Sequence, residues 1–184
     1  MTKLPLLLAA FVLAAPAAAS NWSVVPAQSS LTFSSKWNGA DVEGRFPKFS
    51  AAITFDPAKL AEARVDAVID LSAATTDDKT VNGSLPGSDW FDVKKLPTAR
   101  FQAASFTQVK PGQYLAKGTL TMRGLSVPVS LPFTLAINGN TAVMTGQTVL
   151  DRRSFKIGMD SDAEGAWVGF PVPVKVKITA VRKP

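Results

Sequence analysis

The sequence predicts an all-β domain of about eight antiparallel strands, and three observations carry that expectation. Apolar and polar residues alternate along most of the chain, the mark of a sheet with one buried face. Turn signals interrupt the alternation roughly every ten residues, a spacing that suits hairpins better than crossover helices. Only Asp77 to Leu85 and Ser88 to Lys95 read as helical, and both fall in one long connection between a strand ending at Leu71 and another starting near Pro97. Strands in this number form either a sandwich or a closed barrel, and an eight-stranded barrel has room inside for side chains alone or for one small ligand.

Taken in order, the first 19 residues stand apart. Lys3 supplies a charged start, Leu4 to Pro16 an apolar run too short to span a bilayer, and Ala17-Ala18-Ala19 a small-residue cleavage site. The expectation is a signal peptide over 1–19, cleaved near Ala19, then one domain over 20–184 that works in the periplasm or outside the cell. Within it, strands are expected at Trp22 to Val25, Ser30 to Ser35, Val42 to Phe46, Phe49 to Phe55 and Arg64 to Leu71. After the long connection come Pro97 to Phe106, Gln113 to Met122, Val127 to Ile137, Ala142 to Leu150 and Val172 to Ala180. Asn38-Gly39, Asp56-Pro57, Pro111-Gly112, Arg123-Gly124 and Asn138-Gly139-Asn140 supply the turns.

Three strands carry more specific information. Val172, Val174, Val176, Ile178 and Ala180 share one face of the last strand, with Lys175, Lys177 and Thr179 opposite. Val127, Val129, Leu131, Phe133, Leu135 and Ile137 repeat the pattern, but Pro128 and Pro132 on the other face have no N–H to give, so this strand is expected to be partly an edge or bulged. Small inward candidates, Ala51, Ala67 and Ala103, are interleaved with Phe49, Ile53 and Ile69. They leave either a hollow or a tapered, fully packed interior.

In the long connection, Ser88 is a good N-cap, Asp89 and Asp92 place negative charge in a first turn, Lys94 and Lys95 place positive charge in a last one, and Pro97 stops it. Trp90 and Phe91 on such a turn point about 100° apart, so one can plug a core while the other lines an opening.

Composition excludes much chemistry. The chain has no histidine, hence neither the commonest general base nor the commonest transition-metal ligand, and no cysteine, hence no disulfide. Stability has to come from an apolar core. The net charge of +6 is spread along the chain, without the dense stripe and interleaved aromatics that nucleic-acid binding asks for. Attraction to anionic lipid headgroups is the alternative use for it.

Few short motifs advertise a site. Asp160, Asp162, Glu164 and Gly165 resemble the start of a calcium loop, but Pro171 stands where the bidentate acid belongs. Asn21-Trp22-Ser23 and Asn82-Gly83-Ser84 match the glycosylation acceptor pattern. Asp151-Arg152-Arg153 at a strand end either ties that end to a neighbour or offers a guanidinium to a polar ligand head.

Several longer segments, SSLTF, EGRFPKFSAAITFD, SDWFDVKKLPTARF, GTLTMRGLSVPVSLPF and DRRSFKIG, together resemble the YceI-like family of exported, lipocalin-like, polyisoprenoid-binding proteins, over nearly the whole chain after residue 19. The resemblance implies an eight-stranded antiparallel lipocalin-like barrel with a short helical insertion near its mouth, enclosing an isoprenoid chain or quinone-like tail and requiring no other cofactor. It also implies, for some relatives, a membrane cytochrome b561-type partner; a dimer is possible. Family members often carry histidine where this chain has Lys36-Trp37 and Asn82-Gly83-Ser84-Leu85.

The lining residues expected on this reading are Phe33, Trp37, Phe46, Trp90, Phe91, Phe101, Phe133, Phe155 and Trp167, acting through packing. Burial contributes about 0.8 kcal/mol per CH₂, so an enclosed isoprene unit gives roughly 3 to 4 kcal/mol before costs. The leading expectation is a non-enzymatic lipid carrier. The alternatives are a partner-docking or stress-response module that uses the barrel as a scaffold, and an enzyme with Asp77, Asp78 or Asp151 as acid or base.

Overall fold

The computed structural model describes residues 19–184; the expected leader, apart from Ala19, lies outside the described residues. Eleven strands carry most of the chain: β1 (Asn21–Val24), β2 (Ser30–Trp37), β3 (Ala40–Arg45), β4 (Phe49–Thr54), β5 (Arg64–Asp70), β6 (Thr75–Thr76), β7 (Thr98–Lys110), β8 (Gln113–Met122), β9 (Leu125–Asn138), β10 (Thr141–Asp151) and β11 (Pro171–Arg182). Every pairing between them is antiparallel.

The order β1-β4-β5-β7-β8-β9-β10-β11 closes on itself because β1 also pairs with β11, Trp22 opposite Arg182, which makes an eight-stranded barrel. Pro26 explains why the first strand position is split in two. A short 3-10 turn over Pro26–Gln28 breaks the chain, so that β1 pairs with β4 below it while β2 pairs with β3 above, both still lying against β11. Hairpin turns take positive φ at Asn38, Gly39, Gly112, Gly124 and Gly139, and also at Arg123 beside Gly124.

Of the two expected helices, one forms. The single α-helix among the described residues, α1 (Lys79–Ser84), is capped by Asp78, whose carboxylate accepts from the backbone N–H groups of Thr80 and Val81. Ser88 to Lys95 is a chain of tight turns instead. Gly87 carbonyl accepts from both Trp90 and Asp92 N–H, and Asp92 sits at φ 49°, which no continuing helix allows. The physical reason lies outside the segment. Asp89, expected to favour a helix N-terminus, instead accepts from Asp160 N–H (2.9 Å), Ser161 N–H (3.0 Å) and Ser161 hydroxyl (2.5 Å) across the mouth. Arg123 takes the carbonyls of Ser88 (2.9 Å) and Asp89 (2.8 Å), and a third one, of Lys156.

Two apolar clusters occupy the two ends of the barrel. The floor holds Trp22, Phe55, Phe106, Tyr114 and Phe133, with Phe55 edge-on to Phe106, Tyr114 and Phe133 at 5.5–6.1 Å and Tyr114 stacked on Phe133 at 5.4 Å. Trp22 also donates its indole N–H to the Phe55 carbonyl (2.9 Å). The mouth cluster holds Leu71, Val81, Leu85, Phe91, Phe155 and Ile157, with Phe33, Trp37, Phe46 and Trp90 packed against them.

Candidate functional site

Between floor and mouth lies a cavity of ≈ 310 Å³. The last strand gives it Val172, Val174, Val176, Ile178 and Ala180, the face that the alternation picks out, and β9 gives Val129, Leu131, Phe133, Leu135 and Ile137. Ala51 and Ala67 sit directly opposite each other on β4 and β5 and both face the hollow; Ala103 is packed into the floor cluster instead.

Eight of the nine aromatics singled out from the sequence border this space: Phe33, Trp37, Phe46, Trp90, Phe91, Phe101, Phe133 and Phe155. Trp167 does not. It is 54% exposed, outside the wall, while its neighbour Val168 turns inward and bridges to Trp37. The two adjacent side chains go to opposite sides of the wall, and the sequence offers no sign of which is inside. Trp90 and Phe91 both reach the wall, because the tight turns let adjacent side chains converge where a helix would spread them. Phe46 touches Phe91 (6.0 Å between centroids) and Phe33 (5.0 Å), and Trp37 faces Trp90 (6.2 Å), so the upper part of the wall carries a run of three rings and a pair of indoles.

Two glycines explain how large rings line a hollow without filling it. Phe33 lies opposite Gly44, and Phe101 lies over Gly118; a Cβ at either glycine would collide with the ring. The absent side chains let both rings lie flat on the wall. Strand glycines are a readable sign of such close approach, one missed in the sequence.

Polar wall residues are Ser35, Thr148 and Arg152. Arg152 is 3% exposed and pairs with Asp162 (2.8 Å), itself 4% exposed. The five N–H donors of its guanidinium all have acceptors: Nε and Nη2 reach the Val168 carbonyl (3.2 and 3.0 Å), Nη1 reaches Ile157 (2.6 Å) and Gly158 (3.2 Å), and Nη2 also reaches the Asp162 carbonyl and carboxylate. Of the two uses considered for the Asp151-Arg152-Arg153 run, the geometry therefore gives the structural one to Arg152: it staples the loop that roofs the barrel. Arg153 turns outward onto Asp151, whose carboxyl is held below its ordinary value by that hydrogen bond. Asp162 spends both carboxylate oxygens here, on Arg152 and on the Trp167 and Val168 N–H groups, so the calcium-loop resemblance dissolves into a structural clamp.

The carboxylates considered for acid–base work are not in the cavity wall: Asp77 is exposed, Asp78 caps α1 and Asp151 faces Arg153. Asn82, the second glycosylation-pattern asparagine, accepts from the Thr76 N–H and hydroxyl and donates to its carbonyl. Trp37 and Leu85, which stand in the segments where the resembling family often has histidine, both line the cavity.

Comparison with known proteins fits this architecture. Residues 22–180 match the YceI-like domain. A UPF0312 protein of Vibrio campbellii is 25% identical over 122 residues, 63% of this chain and 65% of that protein, and a UPF0312 protein of Yersinia pestis is 31% identical over 53% of this chain and 50% of its own length. The chain thus aligns with less than two thirds of the length of these relatives. Among solved structures, Burkholderia cenocepacia BcnA superposes with a TM-score of 0.82 at 33% identity, over 86% of this chain and 99% of its own. A polyisoprenoid binding domain from Saccharophagus degradans, implicated in plant cell wall breakdown, shares the fold at a TM-score of 0.70 and 15% identity, over 89% of this chain and 99% of that one.

Proposed function

Because the chain belongs to the YceI-like family, we propose that it is a lipid-binding barrel whose occupant is the hydrocarbon part of an isoprenoid or quinone-like amphiphile. One observation carries this reading: apart from the Ser35 and Thr148 hydroxyls the cavity wall is apolar, and its one charged side chain, Arg152, has every donor engaged within the protein. Such a wall rewards hydrocarbon and offers a charged substrate no free partner. The polyisoprenoid-binding description of the Saccharophagus domain, which shares the fold, supports the choice of ligand class.

The volume limits what is held. At ≈ 310 Å³ the hollow stands at the lower end of the roughly 300–1,000 Å³ range of ligand sites, so it takes a few isoprene units while the rest of a long chain stays outside. Partial enclosure suits a carrier, which has to release as well as bind. The role is binding without catalysis, in the periplasm or outside the cell; the charged start, apolar run and Ala17-Ala18-Ala19 of the first 19 residues support that setting.

Mass spectrometry of organic extracts from the purified protein tests the proposal. A stoichiometric isoprenoid or similar amphiphile is the expected finding. Repeated recovery of ligand-free protein that also takes up no added prenyl lipid would overturn it.

A further inference from the structure

The barrel wall has an incomplete seam. The β7–β8, β8–β9 and β10–β11 ladders run along nearly the whole of the shorter strand, but β9 pairs with β10 only from Asn138↔Thr141 to Phe133↔Gly146, although β9 continues to Leu125 and β10 to Asp151. Sequence explains the stop. Leu135 donates its N–H to Gly112 on the β8 side, so alternation turns the backbone groups of even-numbered β9 residues toward β10. Two of these are Pro128 and Pro132, which have no N–H to donate. Beyond Gly146 a side-chain hydrogen bond, Thr148 Oγ1 to the Ser130 carbonyl (3.1 Å), spans the strands, and Val149 stands 62% exposed.

Both sides of this seam are chemically distinct. Inside are Leu131, Thr148 and Leu150 of the cavity wall. Outside is a groove bordered by Pro132, Thr145, Gln147, Lys175 and Lys177, with no acidic residue on its rim. Phe133 and Val176 border groove and cavity alike. Neither lysine belongs to an ion pair among the described residues. The two ends of the cavity carry apolar side chains by contrast: aromatic rings plug the floor, and the mouth holds the second apolar cluster, beside a loop stapled by Asp89, Arg123 and Arg152.

We propose that the bound amphiphile threads the β9–β10 seam, its apolar tail inside the barrel and an anionic head, such as a phosphate, outside in the groove against Lys175 and Lys177. This rests on the lipid-binding reading and adds to it the class of head group and the route. The cavity cannot accept a charge, so a tail buried there has to be joined to a head beyond the wall, and here the ladder stops short with cations outside ion pairs beside it.

The test uses the absence of native cysteine. Continuing the β9–β10 register sets Ser130 opposite Val149 on the outer face, so S130C/V149C carries one disulfide that closes the seam and reopens on reduction. The probes are geranylgeranyl monophosphate and geranylgeraniol, which share a tail and differ in the head. Oxidation is expected to slow uptake and release of both about tenfold or more, with recovery on reduction. At low salt the native protein is expected to prefer the phosphate by about fivefold, a preference lost in K175Q/K177Q and at high salt. If the disulfide does not close, P128T/P132T, which restores two donors to the ladder, is expected to slow exchange in the same sense. Exchange unaffected by closing the seam, or a phosphate preference that survives K175Q/K177Q, overturns the proposal while leaving lipid binding intact. Inorganic phosphate that binds as tightly as the prenyl phosphate would mark a free-anion site and overturn it too. If neither prenyl probe binds the native protein, the lipid-binding reading falls and this one with it.

Discussion

Arg152 is the residue on which the roof depends. Its guanidinium is the common partner of the Ile157, Gly158, Asp162 and Val168 carbonyls and of the Asp162 carboxylate, so removing it strands five acceptors in a buried site. Arg152→Ala is expected to cost about 3–5 kcal/mol, the scale for breaking a buried ion pair, and Arg152→Lys to recover little, since three donors cannot replace a five-donor fork. Urea unfolding checks both, and a loss under 1 kcal/mol would show the clamp to be dispensable. Asp89 performs a similar task with the opposite charge. Burial pushes its carboxyl up, but donation from the Ser161 hydroxyl and the Asp160 and Ser161 N–H groups, with the nearby Arg123 charge, outweighs that and holds it below its ordinary value. A carboxyl with a lower pKa in the folded state than in the unfolded one contributes stability that is complete above the unfolded value near 3.8 and disappears as pH falls through the folded one. Asp89→Asn is therefore expected to be less stable than the native protein at pH 7, by about 1–2 kcal/mol, with the difference shrinking as pH falls below the unfolded value near 3.8. Thermal melts across that range decide it; a difference that persists undiminished in acid would assign the loss to shape instead of charge.

At the scale of elements, the strands announce themselves and the connections do not. A strand with one buried face writes its orientation into alternate residues, which is why β8 runs over Gln113–Met122 as the sequence predicts and why β11 shows the cavity the predicted face. The prolines of β9 likewise foretell a half-open edge, since a missing N–H is a local property. Ser88 to Lys95 misleads for the opposite reason. Its caps and charges are those of a helix, but Asp89 and the Ser88 carbonyl are taken by residues more than thirty positions away, a competition that no local pattern records. Glycines inside strands give a sharper sign that went unread. Gly118→Ala sets a Cβ against both the Phe101 ring and the Gln102 carbonyl, and a backbone atom cannot yield cheaply, so a loss of about 1–3 kcal/mol is expected. At Gly44 the nearest neighbours of an added Cβ are all atoms of the Phe33 ring, which can swing into the hollow. Gly118→Ala is expected to lose thermal stability, Gly44→Ala chiefly affinity for a prenyl lipid, and parallel melts and titrations that show the reverse would refute this account of the two flat rings.

For the whole molecule the decisive quantity is empty volume, which alternation alone leaves open. The same inward alanines serve a sandwich, a packed barrel or a hollow one; closure through β1 and β11 and the seating of rings over glycines are what leave ≈ 310 Å³ free. A protein that keeps such a hollow forgoes contacts that a filled core would make, and a ligand restores them. A ligand present at 100 times its Kd adds about 2.7 kcal/mol to stability. For a domain of this size that corresponds to a rise in Tm of roughly 5–10 °C. Filling the hollow with side chain should substitute for the ligand. Ala51 and Ala67 face each other across β4 and β5 and both border the space, so A67F alone, or with A51F, places a ring where the tail would lie. The expected result is a variant at least as stable as the ligand-free native protein whose Tm no longer responds to prenyl lipid. A filled variant that unfolds early would show that the space is already closed by packing. One that keeps the full ligand-dependent rise would place the binding site somewhere other than inside the barrel.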